Sequence, residues 1–94
     1  MSAEEPDVAI AIKYDREKDN APRVIAKGLR LKAEKLREIA KQYNIPVMKN
    51  VALANALYRV DVGQQVPEEL YDAVAEVLNF VFALKQEHEA GQKK

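Results

Sequence analysis

The sequence predicts a small α/β domain, a mixed sheet of about three strands covered by three helices. Three observations carry that prediction. Runs rich in Val, Ile and Tyr lie at 8–14, 23–26 and 45–48. Apolar residues at helical spacing separate the second run from the third. Two more helical stretches, 51–60 and 67–87, then complete the chain. With 94 residues and no internal repeat or linker, the chain reads as a single domain. Its expected limits are 8–87, between an acidic tail at 1–7 and a polar tail at 88–94.

The first run, VAIAIKY, has Ala at alternate positions and reads as a buried strand. The next six residues, DREKDN, are polar and turn-like. Pro22 biases Ala21 towards extended geometry, and RVIA continues as a second strand, antiparallel to the first and ended by Gly28. Leu29, Ala33, Leu36, Ala40 and Tyr43 fall on one face of a helix that Asn44 can stop. IPVM gives a third strand, placed parallel by a right-handed crossover. Asn50 can cap a short second helix whose Leu53, Ala56, Leu57 and Val60 face inward. Pro67 opens the last helix, with Glu68 and Glu69 at its positive end. Leu36, Ile39, Leu57, Val74 and Val77 are the expected core.

Composition excludes several kinds of chemistry. Apolar residues make up 48% and charged residues 32%, and 15 basic side chains balance 15 acidic ones. A nucleic-acid binder usually carries a positive excess, so a small nucleic-acid or ribosome-associated module is the alternative reading and not the leading one. Cysteine is absent, which removes disulfides and thiolate metal sites. His88 is the lone histidine and lies in the polar end of the last helix, without the partners a metal or a base needs. Ser2 is the sole serine and threonine is absent, so hydroxyl nucleophiles are all but excluded. Asp15, Glu17 and Asp19 open like a calcium loop, but Asn20 and Ala26 stand where that loop needs Gly and Glu. Glycines occur only at 28, 63 and 91, too few for a phosphate-cradling loop. No enzyme, cofactor or metal is expected. The N-terminus lacks the basic and apolar regions of a signal peptide, and a cytoplasmic location is expected.

The last helix is the informative element. Projected at helical pitch, Leu70, Ala73, Val74, Val77, Val81 and Leu84 share one direction. A second stripe, Tyr71, Ala75, Leu78 and Phe82, flanks it and widens the apolar arc to about 220°. That stripe either packs on the rest of the domain or stays exposed for a partner.

Several segments together resemble one family. Lys13-Tyr14-Asp15 is followed by Ala21-Pro22-Arg23-Val24-Ile25-Ala26-Lys27-Gly28, then by Leu36-Arg37-Glu38-Ile39-Ala40 and Ile45-Pro46-Val47. Leu53-Ala54-Asn55-Ala56-Leu57-Tyr58 comes next, and then the stretch GQQVPEELYDAVAEVL at 63–78. This order and spacing resemble the cytosolic C-terminal domain of the FlhB/YscU/SpaS type III export family over residues 8–85. Family members precede the first matching strand with Asn-Pro-Thr-His and cleave themselves between Asn and Pro. Glu4-Glu5-Pro6-Asp7 stands there instead, and Val51 and Ala52 replace two family prolines. With an initiator Met before a motif-free tail, the sequence is similar to short stand-alone FlhB-like proteins.

The resemblance implies a non-cleaving, non-enzymatic component or accessory of flagellar or type III protein export. Its partners would be export substrates or export-apparatus proteins, without nucleic acid and without direct membrane insertion. The family's exposed apolar patch, carried over residue by residue, falls on Ala21, Pro22, Ala75 and Leu78.

Overall fold

The computed structural model describes the backbone of residues 8–92 and the side chains from Val8 to Leu84. The tail at 1–7 and the side chain of His88 lie outside the described residues. Strand β1 (Val8–Lys13) pairs antiparallel with β2 (Arg23–Leu29). Helices α1 (Leu31–Gln42) and α2 (Val51–Leu57) follow, then a 3-10 turn (Glu68–Leu70) and α3 (Tyr71–Gln92). The last helix therefore runs past the expected limit at 87.

The strand register assigns each helix to a face of the sheet. Ala9 pairs with Gly28 and Ile10 with Lys27, but the register shifts after Ala11, so that Ile12 pairs with Val24 and Ile25 is skipped. A bulge of this kind inverts the alternation along one strand. It puts Ile10, Ile12 and Val24 on one face, and Ala9, Ala11, Ala26 and Gly28 on the other. The large-residue face carries the core, in which Val24, Leu53, Leu57, Val60, Val66 and Val74 are buried. Ile10, Ile12, Leu70, Ala73, Val77 and Leu78 pack around them. Each fully buried Val or Leu there contributes about 1.5–3 kcal/mol through lost apolar exposure.

The small-residue face lets α1 come close. A single residue, Arg30 at φ 50°, turns β2 into α1. A Cβ built on Gly28 would stand 2.6 Å from Lys32 Cβ. Gly28 thus lies inside β2, where strand and helix touch, and does not end the strand. Helix α1 in turn buries Ala33 alone. Leu36 is half-buried and Ile39 is exposed. Ile39 was expected in the core, but two strands about 5 Å apart make a platform narrower than a helix of about 10 Å diameter. The flanks of α1 overhang it. Asn44 does stop the helix, in the left-handed conformation that Asn tolerates (φ 56°).

The expected third strand is absent, and the sheet has two strands among the described residues. Residues 45–50 carry the chain from α1, on one face, to α2, on the other. Pro46, in their midst, has no N–H to offer a ladder. Ile45 and Val47 remain more than half exposed. Asn50 caps α2 as its position suggests, its side-chain oxygen accepting from Leu53 N at 3.0 Å.

Candidate functional site

Pro22 sits where three backbone contacts hold the chain. Its carbonyl accepts from Val66 N at 2.8 Å, Gln64 O accepts from Val24 N at 3.1 Å, and Val24 O accepts from Gly63 N at 2.7 Å. Arg23 adds a bridge to Gln65, and its guanidinium donates to Gly63 O at 3.1 Å. The loop that precedes the 3-10 turn therefore runs beside the start of β2, on its outer edge, joined there by a single isolated bridge. Proline suits this place, because no N–H is needed and its φ is preset. Gly63 makes the tight return at φ 94°, a conformation that suits glycine.

The four residues expected in the patch separate in character. Ala21 is 3% exposed, so it anchors the turn from inside and offers no surface. Its small side chain under a pinned backbone explains why. Pro22 is half-buried, and Ala75 is exposed. Leu78 is half-buried and leans on the core cluster, although the helical projection had set it on the flanking stripe. Two links join the turn to α3. Val24 and Val74 lie in one buried cluster, and Arg16 in the β1–β2 connection stacks over Phe82, its guanidinium carbon 4.3 Å from the ring centroid. Such a stack contributes about 0.5–1 kcal/mol at an exposed site. Tyr71, 39% exposed, extends the apolar surface one turn before Ala75.

The acidic run at 15–19 folds on itself as a turn. Asp15 Oδ1 accepts from Glu17 N at 3.0 Å, and Asp19 Oδ2 accepts from Asp15 N at 2.9 Å. These carboxylates serve the local backbone. A shallow groove lies between the end of α2 and the start of the 3-10 turn. Arg59, Asp61, Gln64 and Glu69 line it from exposed positions, next to Val60 and Leu70. Nothing in it pairs a nucleophile with a base.

Sequence reasoning missed Lys27. Its ammonium donates to Tyr58 O at 2.9 Å and Val60 O at 3.0 Å, and stands 4.8 Å from the centre of the Tyr58 ring. It caps the C-terminal end of α2, where carbonyls lack helical partners. A lysine inside VIAKGL gives no local sign of this, because its partners lie more than thirty residues away.

Comparison with known proteins agrees with this architecture. The chain is 46% identical to the flagellar biosynthetic protein FlhB of Escherichia coli over 87 residues, 92% of this chain and 23% of that protein. It is 49% identical to the hypersensitivity response secretion protein HrcU of Ralstonia nicotianae over 73 residues, 78% of this chain and 20% of that one. Less than a quarter of either relative is thus represented. Among solved structures, the cytoplasmic domain of FlhB from Shewanella putrefaciens superposes with a TM-score of 0.83 at 45% identity. That match covers 89% of this chain and 66% of that one. The PscU C-terminal domain gives a TM-score of 0.75 at 40% identity, covering 78% and 94%. No described helix is long and apolar enough to cross a membrane. The FlhB, HrpN, YscU and SpaS family matches residues 5–81, and the chain belongs to that family.

Proposed function

We propose that this chain works on the cytoplasmic side of bacterial flagellar or type III protein export, as a binding component without enzymatic activity. The observation that carries the reading is Ala75, an exposed small residue between half-exposed Tyr71 and Leu78 on a helix of an export family. The family resemblance adds Pro22 to this surface; its carbonyl is held by Val66 N, and Ala21 before it is buried. A site already formed binds a short apolar segment with little ordering cost. The small area favours weak binding and ready release, which suits transfer of an export substrate or contact with another apparatus protein.

Self-cleavage is not part of the proposed role. Asn20, Asn44, Asn50, Asn55 and Asn79 are each followed by a residue other than proline. Intact-mass measurement after prolonged incubation should show one species, and a specific fragment in protease-free material would refute this.

The binding surface is tested with Ala75→Asp and, as a milder change at the half-buried position, Leu78→Ala. Site-specific photo-crosslinking from Tyr71 in cells with the export machinery intact should capture an export substrate or an apparatus protein. Ala75→Asp should abolish that capture while circular dichroism stays unchanged. Undiminished capture by both folded variants would overturn the assignment.

A further inference from the structure

Net charge is zero, but the charges are unevenly placed. Residues 27–49 carry seven basic side chains and two acidic ones, whereas 61–76 carry five acidic ones and no basic one. The two groups lie on opposite sides of the sheet. Helix α1 packs on the small-residue face, while Leu70 and Val74, between Glu68 and Glu76, pack in the cluster on the other. The outward side of α1 sorts further. At 100° per residue, Leu31, Lys35, Ile39, Lys32, Tyr43 and Leu36 fall in that order within an arc of about 140°. Buried Ala33 lies about 60° past its far end. The arc holds no acidic residue; Glu38 borders it and Glu34 lies beyond. Leu31 is 79% exposed, Tyr43 72% and Ile39 40%. Lys27 reaches the same flank from β2, and with Lys32, Lys35 and Leu36 it lines a shallow groove of about 280 Å³. Its own hydrogen bonds go to the neutral carbonyls of Tyr58 and Val60, which leave its charge uncancelled.

Exposed apolar side chains interleaved with lysines suit a boundary between water and hydrocarbon. We propose that α1 lies along the surface of an anionic lipid bilayer. Lys27, Lys32 and Lys35 meet lipid phosphates, while Leu31, Ile39 and Tyr43 reach the edge of the acyl region. Lysine stems permit both at once, since they cover apolar surface and keep the ammonium at the phosphates. The contact is peripheral, because no described helix is long and apolar enough to cross a membrane. A soluble polyanion would satisfy the lysines but leave Leu31 in water. A plane also fits α1, whose flanks overhang the narrow sheet as a convex ridge. The acidic 61–76 side is repelled by the same bilayer, so charge orients the domain with α1 towards lipid and leaves the α3 surface free.

Co-sedimentation of the whole chain with vesicles tests this. Vesicles of phosphatidylglycerol and phosphatidylcholine in equal parts should carry the chain down, and phosphatidylcholine alone should not. Lys32→Gln and Lys35→Gln, both at exposed positions, should each weaken partition about fivefold with circular dichroism unchanged. Leu31→Gln should weaken it as well, and added salt should release the chain. The chain has no tryptophan, so Tyr43→Trp reports on position. Its emission should shift to the blue on the mixed vesicles and be quenched by brominated acyl chains. Equal partition to both vesicle types, or partition that neither lysine change weakens, would overturn the proposal. So would unshifted emission from bound Tyr43→Trp, or binding lost only when Lys93 and Lys94 are replaced. Tighter binding to polyglutamate or single-stranded RNA than to the vesicles, read by fluorescence anisotropy, would assign the stripe to a macromolecule instead. Ala75→Asp should leave partition unchanged, so this surface and the export-binding surface stand or fall separately.

Discussion

The two faces of the β1–β2 sheet hold their helices by different means. One face presents Ile10, Ile12 and Val24 and collects a cluster of buried Leu and Val from α2, the 62–66 loop and α3. The other presents Ala9, Ala11, Ala26 and Gly28 and holds α1 by close approach, with only Ala33 buried on the helix. Apolar residues are present on both sides, but only one side covers them. Burial follows from what lies opposite a side chain, and hydrophobicity in the sequence does not supply that by itself.

The contrast is broken most severely from the heavy side. Leu57 is 1% exposed at the centre of the cluster. Leu57→Ala leaves a cavity between elements already pinned by the 63–66 loop, so relaxation is limited. Denaturant unfolding should show a loss of about 2–5 kcal/mol. A loss near zero would mean that the cluster collapses freely and is no rigid core.

On the light side, close approach replaces volume. In Gly28→Ala the new Cβ would meet Lys32 Cβ at 2.6 Å and the Lys32 carbonyl carbon at 2.8 Å. Backbone atoms cannot swing aside as a side-chain tip does, so α1 must shift. The expected cost is about 1–3 kcal/mol from overpacking. Amide shifts confined to α1 and β2, with the α2–α3 cluster undisturbed, would confirm that the two layers respond separately.

These two faces also mark how far the sequence could be read. The helices, the Asn50 cap, the Asn44 stop and the antiparallel pair follow from local pattern, and Leu57 and Val74 were expected in the core and are buried there. Three features depended on distant partners. The bulge that skips Ile25 decides which face Ala26 and Val24 occupy, and no residue type announces it. Ile45–Met48 has strand-forming residues, yet a strand also needs a neighbour. The family resemblance pointed to Ala21 and Leu78 as surface, but Ala21 is buried and Leu78 packs on the core cluster, which only tertiary contacts decide.

Lys27 joins the sheet to the C-terminal end of α2 and should give an intermediate effect. Lys27→Met keeps most of the stem's packing and removes the two donors to Tyr58 O and Val60 O. The site is half-buried, so water compensates in part, and the expected loss is about 1–2 kcal/mol. Hydrogen exchange should quicken at the last turn of α2 before it does in α3.

Ile39 gives the smallest effect and the sharpest separation of the two faces. Pattern alone puts it in the core, and a core Ile→Ala change costs about 2–5 kcal/mol. At 40% exposure on the overhanging flank of α1, it has no wall opposite to leave a cavity against. Alanine also raises helix propensity by about 0.4 kcal/mol relative to isoleucine, which offsets part of the lost contact. Ile39→Ala should therefore change unfolding free energy by no more than about 0.5 kcal/mol in either direction. Measured beside Leu57→Ala under the same conditions, it reads the difference between the faces directly. A loss as large as that of Leu57→Ala would show that the flank of α1 is covered in solution, and the light face would then be a second core.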